Sequence, residues 1–383
     1  MKGIEKQYLR NCIKALCHAR LALLRLSSED AVEVIPYGKI DSLRLDAVPE
    51  IIISKTLCQE FDPHLPLITE EIGSSKKLKG SEDQLVCFSD PMDRSKVLRD
   101  FLKRRKGLLE QIFQEQRIIQ EWEEKCGGDI ELSGPYGSIT GIRHGQILFC
   151  VMINYITGTL YIASKGYVGC IPFDAIFSDL SQKEFKRTKG IFENVNPLQF
   201  GAIEQDLTNI DTKFVAYCKG KEYEDNLVES RILGRKGLER IRQEHLAYDL
   251  VGGPARILYL QSPSQVGFIL ANGEKIIEWI GWLAFVKFSQ KGLFAFELSF
   301  DSSWTRDGIL MAPSNAYSVL GEETGIEQGH RYKILEIALN KLKYFRNPSQ
   351  YRSTIVVCPA VNQRIITDMA AGLGTELRFS PVI

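Results

Sequence analysis

Two carboxylates stand three residues apart at the end of a short apolar run. Residues 84–88 predict a buried strand, and Asp90 and Asp93 follow it on either side of Pro91 and Met92. We expect a turn here, because Pro91 has a fixed φ and no N–H. Two carboxylates in such a turn can point to the same side. Hard cations such as Mg²⁺ prefer oxygen ligands of this kind, and the Met92 carbonyl is another.

A charged segment begins directly after Asp93. Residues 94–125 carry apolar residues at helical spacing, so the sequence predicts one long helix that ends at Gly127 and Gly128. The free N–H groups at the start of a helix attract phosphate. The predicted strand, carboxylate turn and helix start together indicate a site for a metal ion and a phosphate group.

Further acids precede this segment. Glu70 and Glu71 end another short apolar run, and Asp46 stands at the start of a predicted helix. Taken singly, each has an ordinary structural explanation, because Asp46 could cap its helix and the two glutamates could be solvated surface. Asp90 and Asp93 alone could likewise only cap the helix that follows. The order of these acids along the chain is what indicates a function.

That order resembles the Mg²⁺-dependent phosphatases that include inositol monophosphatases, fructose bisphosphatases and bisphosphate nucleotidases. Those enzymes carry an Asp at a helix start, then Glu-Glu, and later Asp-Pro-(Ile/Leu)-Asp-Gly-(Thr/Ser). This chain has Asp46, then Glu70-Glu71, then Asp90-Pro91-Met92-Asp93-Arg94-Ser95. Residues 151–163 look like the hairpin that follows in the family, and Gly252-Gly253-Pro254-Ala255 resembles its Gly-Ser-Ala-Ala.

The resemblance implies an enzyme that hydrolyses a small phosphorylated metabolite, such as a sugar, inositol or nucleotide phosphate, with metal-activated water. It implies two or three Mg²⁺ ions, or Mn²⁺ in their place. Glu70 and Asp90 would hold the first ion with the Met92 carbonyl, and Asp93 would join Asp90 at the second. Asp46 and Glu70 would support a weaker third ion.

The same resemblance assigns the remaining roles. Asp46, Glu70 and Ser95 are the implied catalytic residues, with the Ser95 hydroxyl orienting the attacking water. Arg94 and Ser95 would contact the substrate phosphate. The implied fold is a layered α/β arrangement, a two-part α-β-α-β-α sandwich of the sugar-phosphatase type. Dimers are common in that family, so a homodimer is compatible with the resemblance.

The chain departs from the family pattern in its metal and phosphate site. Arg94 replaces a Gly that lets the backbone approach phosphate, and its side chain could donate to phosphate, point to solvent or block the pocket. The later family Trp-Asp corresponds best to Trp279-Ile280, which lacks the acid. Neither Glu278 nor Asp368 is shown by the sequence to replace it. A catalytically silent family member that binds a ligand or a partner protein is therefore the alternative function.

The charged segment has two interpretations as well. It is either a solvated helix face or a positive rim for a multiply charged substrate. Its basic residues are Arg94, Lys96, Arg99, Lys103, Arg104, Arg105 and Lys106.

Helical and strand patterns mix in both halves of the chain, which predicts an α/β or α+β protein. The predicted domains are residues 1–185, carrying the metal and phosphate site, and residues 186–383. An amphipathic helix is predicted over residues 5–26, with Arg20 interrupting its apolar stripe. A hairpin is predicted around Thr157 and Gly158. Further strands are predicted at residues 256–260, 267–270, 293–300 and 354–357, and further helices at residues 46–57, 237–245 and 331–345.

Composition excludes several classes of protein. Lys and Arg number 48, as do Asp and Glu, so no global field favours nucleic acid. The nine cysteines form no Cys-x-x-Cys pair, which argues against a zinc knuckle or a disulfide framework. The start of the chain lacks a signal peptide's apolar core, and no apolar run is long enough for a bilayer. We therefore expect a cytoplasmic protein that binds neither nucleic acid nor membrane.

Overall fold

The chain divides into two compact units. The first comprises Met1–Gln199, Gly252–Ile257 and Ile280–Ser289, and the second comprises Phe200–Val251, Leu258–Trp279 and Gln290–Ile383. The computed structural model describes residues 3–37, 41–69, 84–126, 130–143, 146–173, 196–197, 214–218, 266–272, 281, 284–285, 288, 293–299 and 353–359. The predicted boundary between residues 185 and 186 stays a prediction.

The described helices all belong to the first unit. They are α1 (Gly3–Leu24), α2 (Ser28–Ala31), α3 (Arg44–Ser54), α4 (Ser95–Leu102), α5 (Leu109–Phe113), α6 (Ile118–Cys126) and α7 (Ile130–Ser133). A π-helical stretch, Lys55–Phe61, continues α3. Among these described helices none is long and apolar enough to cross a membrane. The predicted helices at residues 5–26 and after Asp46 are confirmed as α1 and α3.

The first unit contains a mixed sheet whose strands follow chain order. They are β1 (Leu67–Thr69), β2 (Val86–Asp93), β3 (Tyr136–Arg143), β4 (Gln146–Asn154), β5 (Leu160–Ser164), β6 (Tyr167–Ile171) and β7 (Asn196–Pro197). The β1–β2 pair is parallel and the later pairs are antiparallel. Strands β4 and β5 form the predicted hairpin. The α/β class predicted from the sequence is therefore confirmed.

The second unit contains a smaller mixed sheet. Its strands are β8 (Phe214–Cys218), β9 (Val266–Asn272), β10 (Leu293–Ser299) and β11 (Ser353–Pro359), arranged in the order β10-β11-β9-β8. Only the β8–β9 pair among these is parallel. The strands predicted near residues 267, 293 and 354 are confirmed. The predicted strand at residues 256–260 and the helices at 237–245 and 331–345 lie outside the described residues.

Helices α1 and α3 cover one face of the larger sheet, which we name the core face. Cys87, Ile139 and Val151 lie on it and join one apolar cluster with the buried side of α1. Because side chains alternate along a strand, the neighbours Phe88, Ser138 and Met152 lie on the other side, which we name the opposite face. Burial of the core face against two helices fixes which residues of β2 and β3 can reach the opposite face.

Arg20 interrupts the apolar stripe of α1 for a structural reason. Its guanidinium donates from Nε to the Tyr155 carbonyl at 3.1 Å and from Nη2 to the Ile156 carbonyl at 3.0 Å. It also lies over the Phe173 ring, 4.5 Å from the ring centroid. The planar fork of donors therefore ties α1 to the turn that follows β4.

The long helix predicted over residues 94–125 is wrong. The segment instead forms α4, α5 and α6, separated by short turns. Gly107 has a φ of 124°, which right-handed helix geometry does not allow, and Leu108 forms an isolated bridge with Ser27. Tertiary pairing with the segment between α1 and α2 thus overrides the helical spacing of the apolar residues.

Candidate active site

The predicted carboxylate turn is part of a strand. Strand β2 continues to Asp93, so the expectation of a turn at residues 90–93 is wrong. Asp90 pairs with Ser138 and Asp93 pairs with Tyr136, which leaves Pro91 and Met92 facing the single residue Gly137. This arrangement is a β-bulge, where one extra residue is accommodated in one strand. Pro91 fits the bulge because it has no N–H to contribute to the ladder.

The bulge places both aspartates on the opposite face of the sheet. Ser138 and Tyr136 are two residues apart on β3, so their side chains point the same way, and directly paired residues share a face. Asp90 is only 2% exposed, while Asp93 at the strand end is partly exposed. The arrangement that the sequence assigned to a turn is therefore produced by an irregular strand.

One hydrogen bond of the bulge reaches the Asp90 carboxylate. The Met92 N–H donates to Asp90 Oδ1 at 3.2 Å. Met92 itself points to the core face and belongs to the apolar cluster there. Its side chain anchors the bulge while its amide helps to hold the carboxylate.

Arg94 joins the bulge to α4 in a left-handed conformation. Its φ of 68° and ψ of 27° make it the one described non-glycine residue with positive φ. The carbonyl of Arg94 accepts hydrogen bonds from Val97 and Leu98, and Ser95 is the first residue of α4. Besides close approach to phosphate, this conformation is a second physical reason for a glycine at the position of Arg94, since glycine adopts it without steric cost.

We expect Arg94→Gly to be about 1 kcal/mol more stable to unfolding than Arg94→Ala, because only glycine relieves the left-handed backbone. Both variants lose the same long side chain, so their difference isolates the conformation of the backbone. Urea denaturation followed by circular dichroism would measure it.

Lys96 in the first turn of α4 is the matched control for this comparison. It is exposed and helical, so Lys96→Gly should be about 1 kcal/mol less stable than Lys96→Ala. The two positions should therefore show opposite signs. Equal or greater stability for Arg94→Ala would contradict the assignment of strain to Arg94.

Asp46 lies in the first turn of α3 and is 8% exposed. Its Oδ2 accepts a hydrogen bond from the Leu43 N–H at 2.9 Å, the contact expected of an acid that caps its own helix. The starts of α3 and α4 are neighbours, because Lys96 Nζ lies 4.0 Å from Asp41 Oδ2. Asp46 therefore has a local structural role and a position near the helix that follows the bulge.

Glu70 and Glu71 lie outside the described residues. Thr69, the residue before them, pairs with Ser89 in the parallel β1–β2 ladder. The chain positions that follow these two paired residues are Glu70 and Asp90. Carboxyl ends of adjacent parallel strands are the usual location of ligand sites in α/β sheets.

Glu50 is a buried acid that is not among the site residues predicted from the sequence. It is buried on α3 one helical turn after Asp46, and it accepts a hydrogen bond from the Thr69 hydroxyl. This bond ties α3 to the end of β1. The spacing of four residues from Asp46 was the available signal, since it places both acids on one side of the helix.

The segment predicted to match the family Trp-Asp is partly described. Glu278, Trp279 and Ile280 lie outside the described residues, as do Asp368 and residues 252–255. Gly281 is buried, and a Cβ added there would lie 2.7 Å from Met152 Cε and 3.0 Å from Cys150 Sγ. Both contacts belong to the opposite face, the face that carries Asp90.

Among the described residues, Asp90 and Asp93 are the predicted metal ligands that share a face of the sheet. Within this part of the chain no three His, Cys, Asp or Glu side chains come together as a ligand group. Mg²⁺ is commonly held by one or two carboxylates, with water and substrate phosphate completing its shell. Asp90 and Asp93 on one face therefore fit this ion, with Glu70 as the predicted third ligand.

Contacts within the charged segment favour the solvated-surface interpretation. Arg105 is paired with Glu115, 2.7 Å away, and with Glu121, and it lies over the Phe101 ring. Hydrogen bonds from Lys103 and Arg99 lower the pKa of Asp100. These cations are thus engaged with acids of their own segment.

The chain matches no protein-family model, and a sequence comparison with curated proteins also finds no match. Among solved structures it is similar to extragenic suppressor protein suhB from Bartonella henselae, with 14% identity, a TM-score of 0.44 and coverage of 75% of this chain and 85% of that one. An inositol monophosphatase-fructose 1,6 bisphosphatase shows 13% identity, a TM-score of 0.44 and coverage of 96% and 100%. SaIMPase-II with bound 2'AMP shows 10% identity, a TM-score of 0.48 and coverage of 97% and 95%.

Proposed function

We propose that this protein is a metal-dependent phosphatase that hydrolyses a small phosphorylated metabolite with Mg²⁺-activated water. The observation that carries the proposal is the bulge in β2, which brings Asp90 and Asp93 to one face directly before the start of α4. A carboxylate pair beside a helix N-terminus combines ligands for a cation with donors for a phosphate. The order of acids in the sequence supports the same activity.

The proposed roles are those that the resemblance implies for these residues. Asp90 and Asp93 bind Mg²⁺, and Glu70 and the Met92 carbonyl are further proposed ligands. Bound Mg²⁺ supplies Lewis-acid chemistry and lowers the pKa of water. Ser95 at the first position of α4 orients the water, and Arg94 donates to the substrate phosphate. Asp46 has a supporting role at the neighbouring helix start.

Low exposure of Asp90 fits this assignment. A buried carboxylate requires a compensating charge or several hydrogen-bond donors, and a divalent cation is such a charge. Electrostatic interactions are also stronger where water is excluded. The same two acids on an exposed loop would interact more weakly with a metal ion, because water would screen their charges.

Arg94 gives the alternative function its specific support. A long cationic side chain stands where the family motif has glycine, and Ile280 stands where it has an acid. Both changes suit a protein that binds an anionic ligand without hydrolysing it. The enzyme remains the preferred proposal because Asp46, Glu70, Asp90, Asp93 and Ser95 are all retained.

A phosphate-release assay over a panel of phosphate esters tests the proposal. The panel should contain mono- and bisphosphates of inositol, fructose and nucleotides, each assayed with Mg²⁺, with Mn²⁺ and with a chelator. We expect release that requires the metal, and a preference for bisphosphates if Arg94 contacts a second anionic group.

The two candidate functions give different results in this assay. Metal-dependent release from any ester supports the phosphatase. Ester binding, measured by calorimetry, with no release at any metal concentration would support the silent alternative. Release that persists in the chelator would contradict the proposed metal-assisted mechanism.

A further inference from the structure

The hydroxyl of Tyr155 reaches the bulge from the core face. Tyr155 directly follows β4 and is fully buried in the apolar cluster. Its hydroxyl donates to the Pro91 carbonyl at 2.7 Å, across 64 residues of sequence. The bulge is therefore held by a side chain that is distant along the chain.

Gly137 leaves the space that this hydrogen bond occupies. A Cβ added at position 137 would lie 2.3 Å from the Tyr155 hydroxyl oxygen and 2.9 Å from the Pro91 carbonyl oxygen. Real Cβ atoms do not approach other atoms so closely. Gly137, which faces the two extra residues of the bulge, is therefore required by the contact.

The backbone of Tyr155 is itself held in place. Arg20 donates to its carbonyl, and the Asn154 side chain accepts hydrogen bonds from the Ile156 and Thr157 N–H groups at 3.0 and 3.2 Å. A hydroxyl on a ring that is fully packed and anchored by its backbone has little freedom to leave its acceptor. The contact with Pro91 is therefore rigid.

The Pro91 carbonyl and the Met92 N–H belong to one planar peptide unit. The Tyr155 hydroxyl donates to the oxygen of this peptide unit, and the Met92 N–H of the same unit donates to Asp90 Oδ1. The hydroxyl consequently fixes the orientation of the peptide that holds the Asp90 carboxylate. Supporting contacts of this type orient metal ligands in many metal sites.

We propose that Tyr155 is the positioning residue for Asp90, and that it orients the carboxylate for the metal ion through the Pro91–Met92 peptide. The inference rests on the proposed function, and it adds a residue on the core face that contacts neither metal nor substrate. Gly137 leaves space for the Tyr155 hydroxyl, and Arg20 holds the backbone of Tyr155 through its carbonyl.

The ionisation state of Tyr155 agrees with a donor role. Burial, and after it the negative charge of Asp90, raise the pKa of Tyr155 well above its ordinary value. The hydroxyl therefore keeps its proton throughout the neutral range and donates to the carbonyl.

Tyr155→Phe tests the proposal, with Tyr161→Phe as its matched control. Tyr161 is also largely buried, and its hydroxyl donates to Glu131 Oε2 at 3.0 Å instead of to a residue of β2. We expect the dissociation constant for Mg²⁺, measured by calorimetry, to rise about tenfold in Tyr155→Phe and to change less than about twofold in the control. Amide exchange in fragments that span residues 88–94 should become about tenfold faster in Tyr155→Phe alone, because the peptide loses its anchor.

A third variant separates the hydrogen bond from ring packing. Tyr155→4-aminophenylalanine keeps the ring and a donor at the same place, so it should restore slow exchange and most of the Mg²⁺ affinity, even if Tyr155→Phe folds poorly. Exchange near the bulge that is equal in the Tyr155 and Tyr161 variants would overturn the inference. Absence of Mg²⁺ binding to the native chain would instead count against the proposed function, and the exchange comparison would still decide the role of Tyr155.

Discussion

Replacing Asp90 by Asn is expected to lower the rate of metal-dependent phosphate release by at least about a thousandfold. A bound metal contributes several kcal/mol to stabilising the transition state, and each 1.4 kcal/mol corresponds to about a tenfold change in rate. Asn keeps the size of the side chain and one oxygen but loses the negative charge. Steady-state kinetics on the best ester of the panel would measure the loss.

Calorimetric titration with Mg²⁺ and Mn²⁺ should show that loss of the carboxylates also abolishes metal binding. The double variant Asp90→Asn, Asp93→Asn should give no binding heat, because both carboxylates of the bulge are then absent. Equal heats for the native chain and the double variant would place the cation elsewhere in the molecule. This measurement applies equally if the protein binds its ligand without hydrolysis.

Asp100→Asn is the matched control for Asp90→Asn. Asp100 lies on α4, is exposed, and pairs with Lys103 at 2.7 Å and Arg99 at 3.1 Å. The same chemical change there should leave the rate within about twofold, since exposed ion pairs contribute little. Equal losses at both positions would indicate a general effect of charge and would contradict a specific role for Asp90.

Replacing Trp122 by Ala is expected to lower the free energy of unfolding by about 3–5 kcal/mol, the range for removing a large buried aromatic side chain. Trp122 on α6 is fully buried, and its ring centroid lies 5.0 Å from that of Phe101 on α4. The loss should appear as a lower urea midpoint with little change in the slope of the transition.

Ile119→Ala on the same helix is the control for Trp122. Ile119 is 44% exposed, so its truncation should change the free energy of unfolding by less than about 0.5 kcal/mol. A comparably small effect at Trp122 would mean that α6 contributes little to the core.

The sequence predicted those elements whose signal is local. The dipeptide Thr157-Gly158 between two strand-like runs predicted the β4–β5 hairpin, and helical spacing predicted α1 and α3. In each case the residues that define the element are also the ones it buries. The acids at positions 46, 90 and 93 were likewise located by spacing, and their roles remain predictions.

Other features depend on contacts between distant residues, which periodicity does not report. The bulge at Asp90–Asp93 requires its partner strand β3, so the sequence suggested a turn instead. The division of the charged segment into three helices requires Gly107 and the bridge between Leu108 and Ser27. The acceptor of the Tyr155 hydroxyl lies 64 residues away, and no local pattern indicates it.

Because of the bulge, the directions of the Asp90 and Asp93 side chains depend on the number of residues between them. In a regular strand, residues an even number of positions apart share a face, so two acids separated by three positions would point to opposite sides. The extra residue between Asp90 and Asp93 shifts the phase of the strand by one and cancels that difference. A chain one residue shorter between these acids, with regular pairing, would also place them on one side but without the displaced Pro91–Met92 peptide. The three-residue spacing therefore has two consequences. It makes the two acids point to the same face, and it places the Met92 amide beside the Asp90 carboxylate.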